Sequence, residues 1–284
     1  MNNTKEKRMQ WHPACFAALN LEFVENKNDL EFLQEQTVND LPLRIDTLII
    51  KKKRNCRLKN DLGRIFEVYN LVEYKSPDDE LSFNTFLKGI AQAYLYKVKF
   101  GSIRLENITV TFIRERKPRT LFKQLERYNF VVREKYPGIF YIYGRNIMPI
   151  QIIVSNRLDR KNHIWLNSLT QKLSMEQAKS LVATTNKLQD VSEKKFADTV
   201  WEIVTRANKE LIEKMREENI MCKAMAEIFK PEIDAAAKAA AELAFDDKGV
   251  QVFKNMITRG YSREEAQVVA EINDELVERA LAEC

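Results

Sequence analysis

The period of the hydrophobic positions changes near residue 174. Before that point short apolar, β-branched runs alternate with segments of helical spacing, and after it only the helical period persists. Trp11 to Glu22 reads as a helix with Pro13 in its first turn. Leu43-Arg44-Ile45-Asp46-Thr47-Leu48-Ile49-Ile50 reads as a buried strand, and the basic turn Lys51-Lys52-Lys53-Arg54-Asn55 follows it. Gly63 opens a second strand region, Ile65 to Lys75, and Ser76-Pro77-Asp78-Asp79 is loop chemistry. Ser82 then caps a helix whose predicted apolar stripe is Phe86, Leu87, Ile90, Ala91, Tyr94 and Leu95. A strand from Ile108 to Arg116, a short helix around Leu121 to Arg127, and two strands flanking Tyr136-Pro137-Gly138 come next. The second of these ends near Val154, and a helix from His163 to Leu173 closes the series.

Beyond residue 174 the pattern predicts a long helix from Ser192 to Asn219, with Phe196, Val200, Ile203, Ala207, Leu211 and Met215 at steps of three and four. The stripe suits packing on neighbouring elements or, alternatively, the seam of a homodimer formed by the C-terminal helices. Ala235 to Ala241 extends the helical character, and Gly260 ends a helix before a capping box from Ser262 to Glu265. The helix after Gly260 carries Glu264, Glu265, Glu271, Asp274, Glu275 and Glu278, too acidic for reading DNA. The expected architecture is α/β, a central mixed sheet flanked by helices, followed by an all-α C-terminal appendage. The boundary is expected between 1–173 and 174–284.

Composition narrows the chemistry. With 45% hydrophobic and 31% charged residues the chain belongs to the soluble globular class. No apolar run approaches the roughly 18–20 residues that span a bilayer, and the charged N-terminus lacks an apolar stretch of signal-peptide character. A cytoplasmic location is expected. Cys15, Cys56, Cys222 and Cys284 are scattered, and His12 and His163 lie near none of them, which disfavours a zinc site and histidine-based acid–base work. Up to Thr170 there are 29 Lys and Arg against 19 Asp and Glu, an excess of +10, whereas the remainder has 17 against 22. A basic first part suits a polyanionic partner, although a solvated surface explains the excess equally well.

The candidate chemistry centres on Glu73-Tyr74-Lys75. In a strand residues two apart share a face, so Glu73 and Lys75 project together with Leu71, while Val72 and Tyr74 point the other way. A strand apolar on both sides is central, and charges at its end are costly without compensation. A divalent cation compensates the acid, and a phosphate compensates the lysine. Asp46 interrupts an apolar strand in the same manner, and two carboxylates with water and substrate oxygens suit Mg²⁺ or Mn²⁺. The acid-x-lysine spacing alone is weak, since Glu115-Arg116-Lys117 and Glu193-Lys194-Lys195 repeat it, and a salt-bridged pair at a strand end is the bland alternative.

The segment from Pro42 to Lys52, the run from Phe66 to Asp79 and the later Tyr136-Pro137-Gly138-Ile139-Phe140-Tyr141-Ile142 together resemble bacterial PD-(D/E)XK nuclease-like proteins of the transposase-associated or recombination-promoting type. The resemblance covers roughly residues 10 to 170. It implies a restriction-endonuclease-like core, dependence on Mg²⁺ or Mn²⁺, and hydrolysis of DNA phosphodiesters, with the first acid at Asp46 and the acid-x-lysine at Glu73 and Lys75. One departure is Ile45, where the family's nominal pattern has proline. Many such enzymes add a first-helix glutamate, for which Glu22 is the candidate and Glu31 or Glu35 the substitutes. A solvated helix-end charge is the plainer reading of Glu22.

Lys51, Lys52, Lys53 and Arg54 are candidate DNA-backbone contacts, or a solvated hairpin tip. Gln92 and Tyr94 are candidates to face the site, Tyr94 fitting the apolar stripe better. Arg114, Arg116, Lys117 and Arg119 form a second basic cluster, which is ordinarily surface. Two rivals to a nuclease stand beside it: an inactive relative that only binds nucleic acid, and an interaction protein working through its helical tail.

Overall fold

A computed structural model describes residue 9 and residues 11–33, 48–53, 56–144 and 147–282. The run that ends in the acid-x-lysine becomes an interior strand, third from one edge, of a seven-stranded mixed sheet. In chain order the elements of the sheet unit begin with α1 (Trp11–Glu22), β1 (Leu30–Leu33), β2 (Leu48–Lys52), β3 (Tyr69–Lys75), α2 (Phe83–Lys99) and β4 (Ile108–Arg114). They continue with α3 (Arg119–Arg127), β5 (Val131–Tyr136), β6 (Ile139–Tyr143), β7 (Ile150–Val154) and the single-turn α4 (Ile164–Asn167). Helices α5 (Met175–Thr185), α6 (Val191–Ala207) and α7 (Lys209–Glu217) complete it. The strand order is β1-β2-β3-β4-β7-β6-β5. β1, β2 and β3 form an antiparallel meander, β3, β4 and β7 run parallel, and β6 and β5 return antiparallel.

One face of the sheet is covered by α2 and α3. Leu71, Val110, Phe112, Phe140, Ile150 and Ile152 meet Phe86, Ala93 and Tyr96 of α2 and Leu121, Phe122 and Leu125 of α3 there. The other face carries α1: His12 meets Tyr74 edge-on at 5.8 Å, and Phe16 meets Phe32 at 6.0 Å. α1 is buried nearly all round, through Trp11, Ala14, Cys15, Ala17, Ala18, Leu19 and Leu21. A helix with apolar residues on every side must be sandwiched. α6 and α4 supply its second wall, with Phe196 edge-on to Phe16 at 6.0 Å.

Several boundaries depart from expectation for identifiable reasons. Lys51 and Lys52 belong to β2 rather than to a turn. The strand is prolonged because the Lys52 N–H donates to the Val68 carbonyl, the Lys53 N–H donates to Asp29, and Lys51 pairs with Glu31 at 3.4 Å. Gly63 does not open a strand, since it closes a 3₁₀ turn, Asp61–Gly63, capped by Asn60, and β3 starts only at Tyr69. Around Pro137 there are three strands, not two. Gly138 is required in that turn: its φ is +76°, and an added Cβ would lie 2.8 Å from the backbone of Arg157 and Leu158.

The predicted stripe of α2 is right at Phe86, Ile90 and Leu95, which pack on the core, and wrong at Leu87, Ala91 and Tyr94, which turn to solvent. Leu87 and Tyr94 are 45% and 40% exposed, and the face against the sheet is Phe86, Gly89, Gln92, Ala93 and Tyr96. The Ser82 cap is present, its hydroxyl accepting from the Thr85 N–H. The helix expected from His163 to Leu173 shrinks to α4, and the long helix from Ser192 breaks at Asn208. There the Asn208 amide donates to the Thr170 and Val204 carbonyls and accepts from the Leu173 N–H, trading helix continuity for two bonds that fasten the loop around residues 170–173 and one back to α6.

The chain forms two compact units, Met1–Met225 and Ala226–Cys284. The expected boundary at residue 173 therefore moves, because α5, α6 and α7 belong to the sheet unit. The Phe196 to Met215 stripe is covered within that unit, with Val200, Ile203 and Met215 buried, so it does not supply a dimer seam. The second unit holds most of α8 (Lys223–Thr258), then α9 (Arg263–Ala270) and α10 (Asp274–Ala282). They share a small core of Val250, Phe253, Ala266, Ala270, Ile272, Val277 and Ala280. The capping box of Ser262 and Glu265 is formed as expected. Among the described residues no helix is long and apolar enough to cross a membrane.

Two outcomes follow from this packing. Gly89→Ala would place a Cβ 2.6 Å from the Phe112 ring. Overpacking of that kind should cost about 1–3 kcal/mol, read as a lower urea midpoint. A fragment ending at Met225 should fold and stay soluble, whereas one ending at residue 173 should aggregate because α1 loses the part of its outer wall that α6 supplies. Size-exclusion chromatography with light scattering separates the two results.

Candidate functional site

The carboxyl end of β3 carries the expected pair. Lys75 Nζ lies 2.7 Å from Glu73 Oε1, which puts both on the face covered by α2. The strand has neighbours on both edges, and Leu71, Val72 and Tyr74 around the pair are buried. Glu73 is itself buried and the Lys75 side chain is 22% exposed. Partial desolvation strengthens their attraction and raises the cost of separating them.

Register supplies the rest of the site. Glu73 is in register with Phe112 of β4, and Phe112 is the ring against which Gly89 of α2 rests. Gln92 lies one turn further along the same face of α2 and is buried there. Tyr94, the other helix candidate, turns to solvent. Lys75 is in register with Arg114, so the guanidinium-bearing residue stands beside the lysine on the same face. Arg114 Nε is buried and, among the described residues, has no hydrogen-bond partner. The loop after β3 is tied locally: Ser76 Oγ donates to Asp79 at 2.6 Å, and the Gln171 amide donates to Asp78 at 2.8 Å.

Other expected residues fall elsewhere. Asp46, Glu35 and Arg54 lie outside the described residues. Lys51 is opposite Tyr69, at the start of β3, and Lys75 is at its end. At about 3.3 Å per residue the six intervening steps separate them by roughly 20 Å. Lys51, Lys52 and Lys53 therefore do not flank the Glu73–Lys75 pair. Glu31 is exposed beside Lys51 at that same distant end, where burial first, then Tyr69 and Glu31, push the Tyr96 phenol up to about 12. Lys117 is spent on the faces of Phe122 and Phe140, at 5.4 and 5.2 Å.

Glu22 is neither solvated nor near Glu73. Its Oε1 accepts the backbone N–H groups of Trp165 and Leu166, each at 3.1 Å, and its Oε2 lies 3.1 Å from His163 Nδ1. The Asn60 amide donates to its backbone carbonyl at 2.8 Å. These bonds hold the end of α1 against the start of α4, on the sheet face opposite Glu73. The role is structural, a buried carboxylate satisfied by a distant stretch of chain.

Glu115, just past β4, is a further buried acid. Thr170 Oγ1 donates to its Oε1, while its Oε2 lacks a hydrogen-bond partner among the described residues and sits 3.6 Å from Arg116 Nε. Tyr74 feels it: burial first, then Cys15, Glu115 and Asp79, push that phenol well above its ordinary range. The repeated acid-x-lysine spacing at Glu115 was the available signal. Two clefts, of about 570 and 670 Å³, border α4 and α5 and do not include Glu73 or Lys75. Among the described residues no group of three or more His, Cys, Asp or Glu is gathered to hold a metal.

No protein family, no curated protein and no solved structure matches the chain.

The bonding of Glu22 makes a direct forecast. Glu22→Ala strands three donors in a buried place and should destabilise the fold by about 3 kcal/mol. Equilibrium urea unfolding measures it, and an unchanged midpoint would contradict the structural role.

Proposed function

We propose that the protein is a cytoplasmic, metal-dependent DNA nuclease of the PD-(D/E)XK type, with Asp46, Glu73 and Lys75 at its centre. The observation that carries this reading is the Glu73–Lys75 pair at the carboxyl end of β3, an interior strand of the sheet. A mixed sheet flanked by helices, with the acid-x-lysine ending an interior strand, supports the reading, since the resemblance drawn from the sequence implies such a core. β3 also pairs antiparallel with β2, the strand that begins two residues after Asp46. The same resemblance ties the activity to mobile elements or recombination.

The donor set fits a hard cation. Glu73 offers carboxylate oxygens in a largely desolvated place, Asp46 would offer a second carboxylate, and Mg²⁺ or Mn²⁺ takes one or two of these with water and phosphate oxygens. When bound, the ion supplies a water of lowered pKa and neutralises charge on the phosphate. Lys75 Nζ is in reach of Glu73 and therefore of whatever Glu73 holds. It can donate to the attacking water or to a phosphate oxygen, balancing charge as it develops. The Lys75–Glu73 bond keeps both side chains in one orientation before substrate arrives.

A second reading draws on the same contact. Glu73 is already neutralised by Lys75, as in an inactive relative that binds nucleic acid without cutting it.

Incubation with supercoiled plasmid separates them. Wild type should nick DNA only with Mg²⁺ or Mn²⁺, and Asp46→Asn, Glu73→Gln or Lys75→Met should each slow nicking by about 10²-fold or more. A crystal structure with Mn²⁺ should place Asp46 Oδ and Glu73 Oε within about 6 Å of each other. Equal nicking by wild type and all three variants would assign the activity to a contaminant. Metal-independent DNA binding with no nicking would favour the inactive relative.

A further inference from the structure

We propose that Arg114 and Lys75 together form a seat for the scissile phosphate of DNA, with the Arg114 guanidinium gripping its non-bridging oxygens. This rests on the nuclease reading for the identity of the substrate, but the seat itself is argued from β4. Lys75 and Arg114 are register partners on adjacent parallel strands, both at the carboxyl ends. Strands lie about 4.8 Å apart, so two cations issue side by side from one face of the sheet. In open α/β sheets the crevice beyond the carboxyl ends of parallel strands is where ligands bind.

Charge accounting favours an anion there. Glu73 offsets one of the two cations, through its 2.7 Å contact with Lys75, whereas Arg114 forms no salt bridge among the described residues. Its register neighbour on the other side is Val154, which brings no charge. The next acid along the chain, Glu115, is engaged by Thr170 and lies beside Arg116. Of the acids after β3, Asp78 is engaged by Gln171 and Asp79 by Ser76. Arg114 Nε is meanwhile buried and lacks a hydrogen-bond partner among the described residues.

A buried guanidinium nitrogen without an acceptor calls for a ligand to supply one. Phosphate does so with the right shape, since two parallel N–H groups of an arginine match two of its oxygens. A lysine at the same position brings the charge but not the fork. That difference makes the proposal testable.

The experiment compares wild type, Arg114→Lys and Arg114→Met on a short fluorescent duplex in Ca²⁺, across a salt series, and on plasmid in Mg²⁺. Arg114→Met should weaken duplex binding about 10-fold or more and reduce the salt slope by about one counterion. Arg114→Lys should restore the slope while cleavage stays at least about 10-fold slow. Inorganic phosphate should raise the melting temperature of wild type more than that of either variant, a readout that needs no cleavage and covers a poorly folding Met variant. Unchanged affinity, slope and phosphate response in both variants, beside a wild type that cuts, would overturn the seat and leave the nuclease reading standing. Arg114-dependent duplex binding in a wild type that never cuts would overturn the nuclease reading and leave the seat. A wild type with no affinity for duplex or phosphate would overturn both.

Discussion

A strand with neighbours on both edges and helices on both faces leaves its charged residues nowhere to go but its ends. β3 is such a strand, between β2 and β4 and between α1 and α2. Its first residues are accommodated by apolar contact and by Asn70, whose amide donates to the Ile50 and Glu67 carbonyls. Its last residues are Glu73, Tyr74 and Lys75, and their solution is a short ion pair on one face and a buried phenol on the other. α2 sits close over Phe112, the register partner of Glu73, because Gly89 has no side chain there. The electrostatics of the candidate site are thus a consequence of sheet order.

What the sequence disclosed follows from how local each feature is. The shared face of Glu73 and Lys75 is a property of strand geometry and was legible at once. So were the Ser82 cap and the Ser262–Glu265 box, which depend on residues three apart. The buried face of α2 was legible only in part, because two positions on it, Gly89 and Gln92, are not hydrophobic and contribute nothing to an apolar stripe. The break at Asn208 depends on a loop some forty residues earlier that only the folded chain brings close. The burial of Glu22 is hidden from the sequence for the same reason, its partners being more than 140 positions away.

The candidate site divides along the same line. Within one strand the pairing could be read, but the neighbour of Lys75 could not, since Arg114 enters only through the register of β3 with β4. In the sequence Arg114 was one member of a basic cluster with Arg116, Lys117 and Arg119. The fold gives three of these different fates: Arg114 stands beside Lys75, Arg116 by Glu115, and Lys117 over two phenylalanine rings. Composition assigns such residues a common role, and alternation along the strand separates them.

The burial of α1 on all sides has a consequence for how the chain is made. Phe16 finds Phe196 only after 180 further residues have been added. At about 5–20 residues per second, a ribosome takes roughly 10–40 s to deliver them. Through that interval α1 lacks the part of its outer wall that α6 supplies, and its apolar side is open to chaperones or to other nascent chains. Closure of the sheet unit is therefore a late event in synthesis, timed by the appearance of α6 rather than by the strands that carry the charged pair.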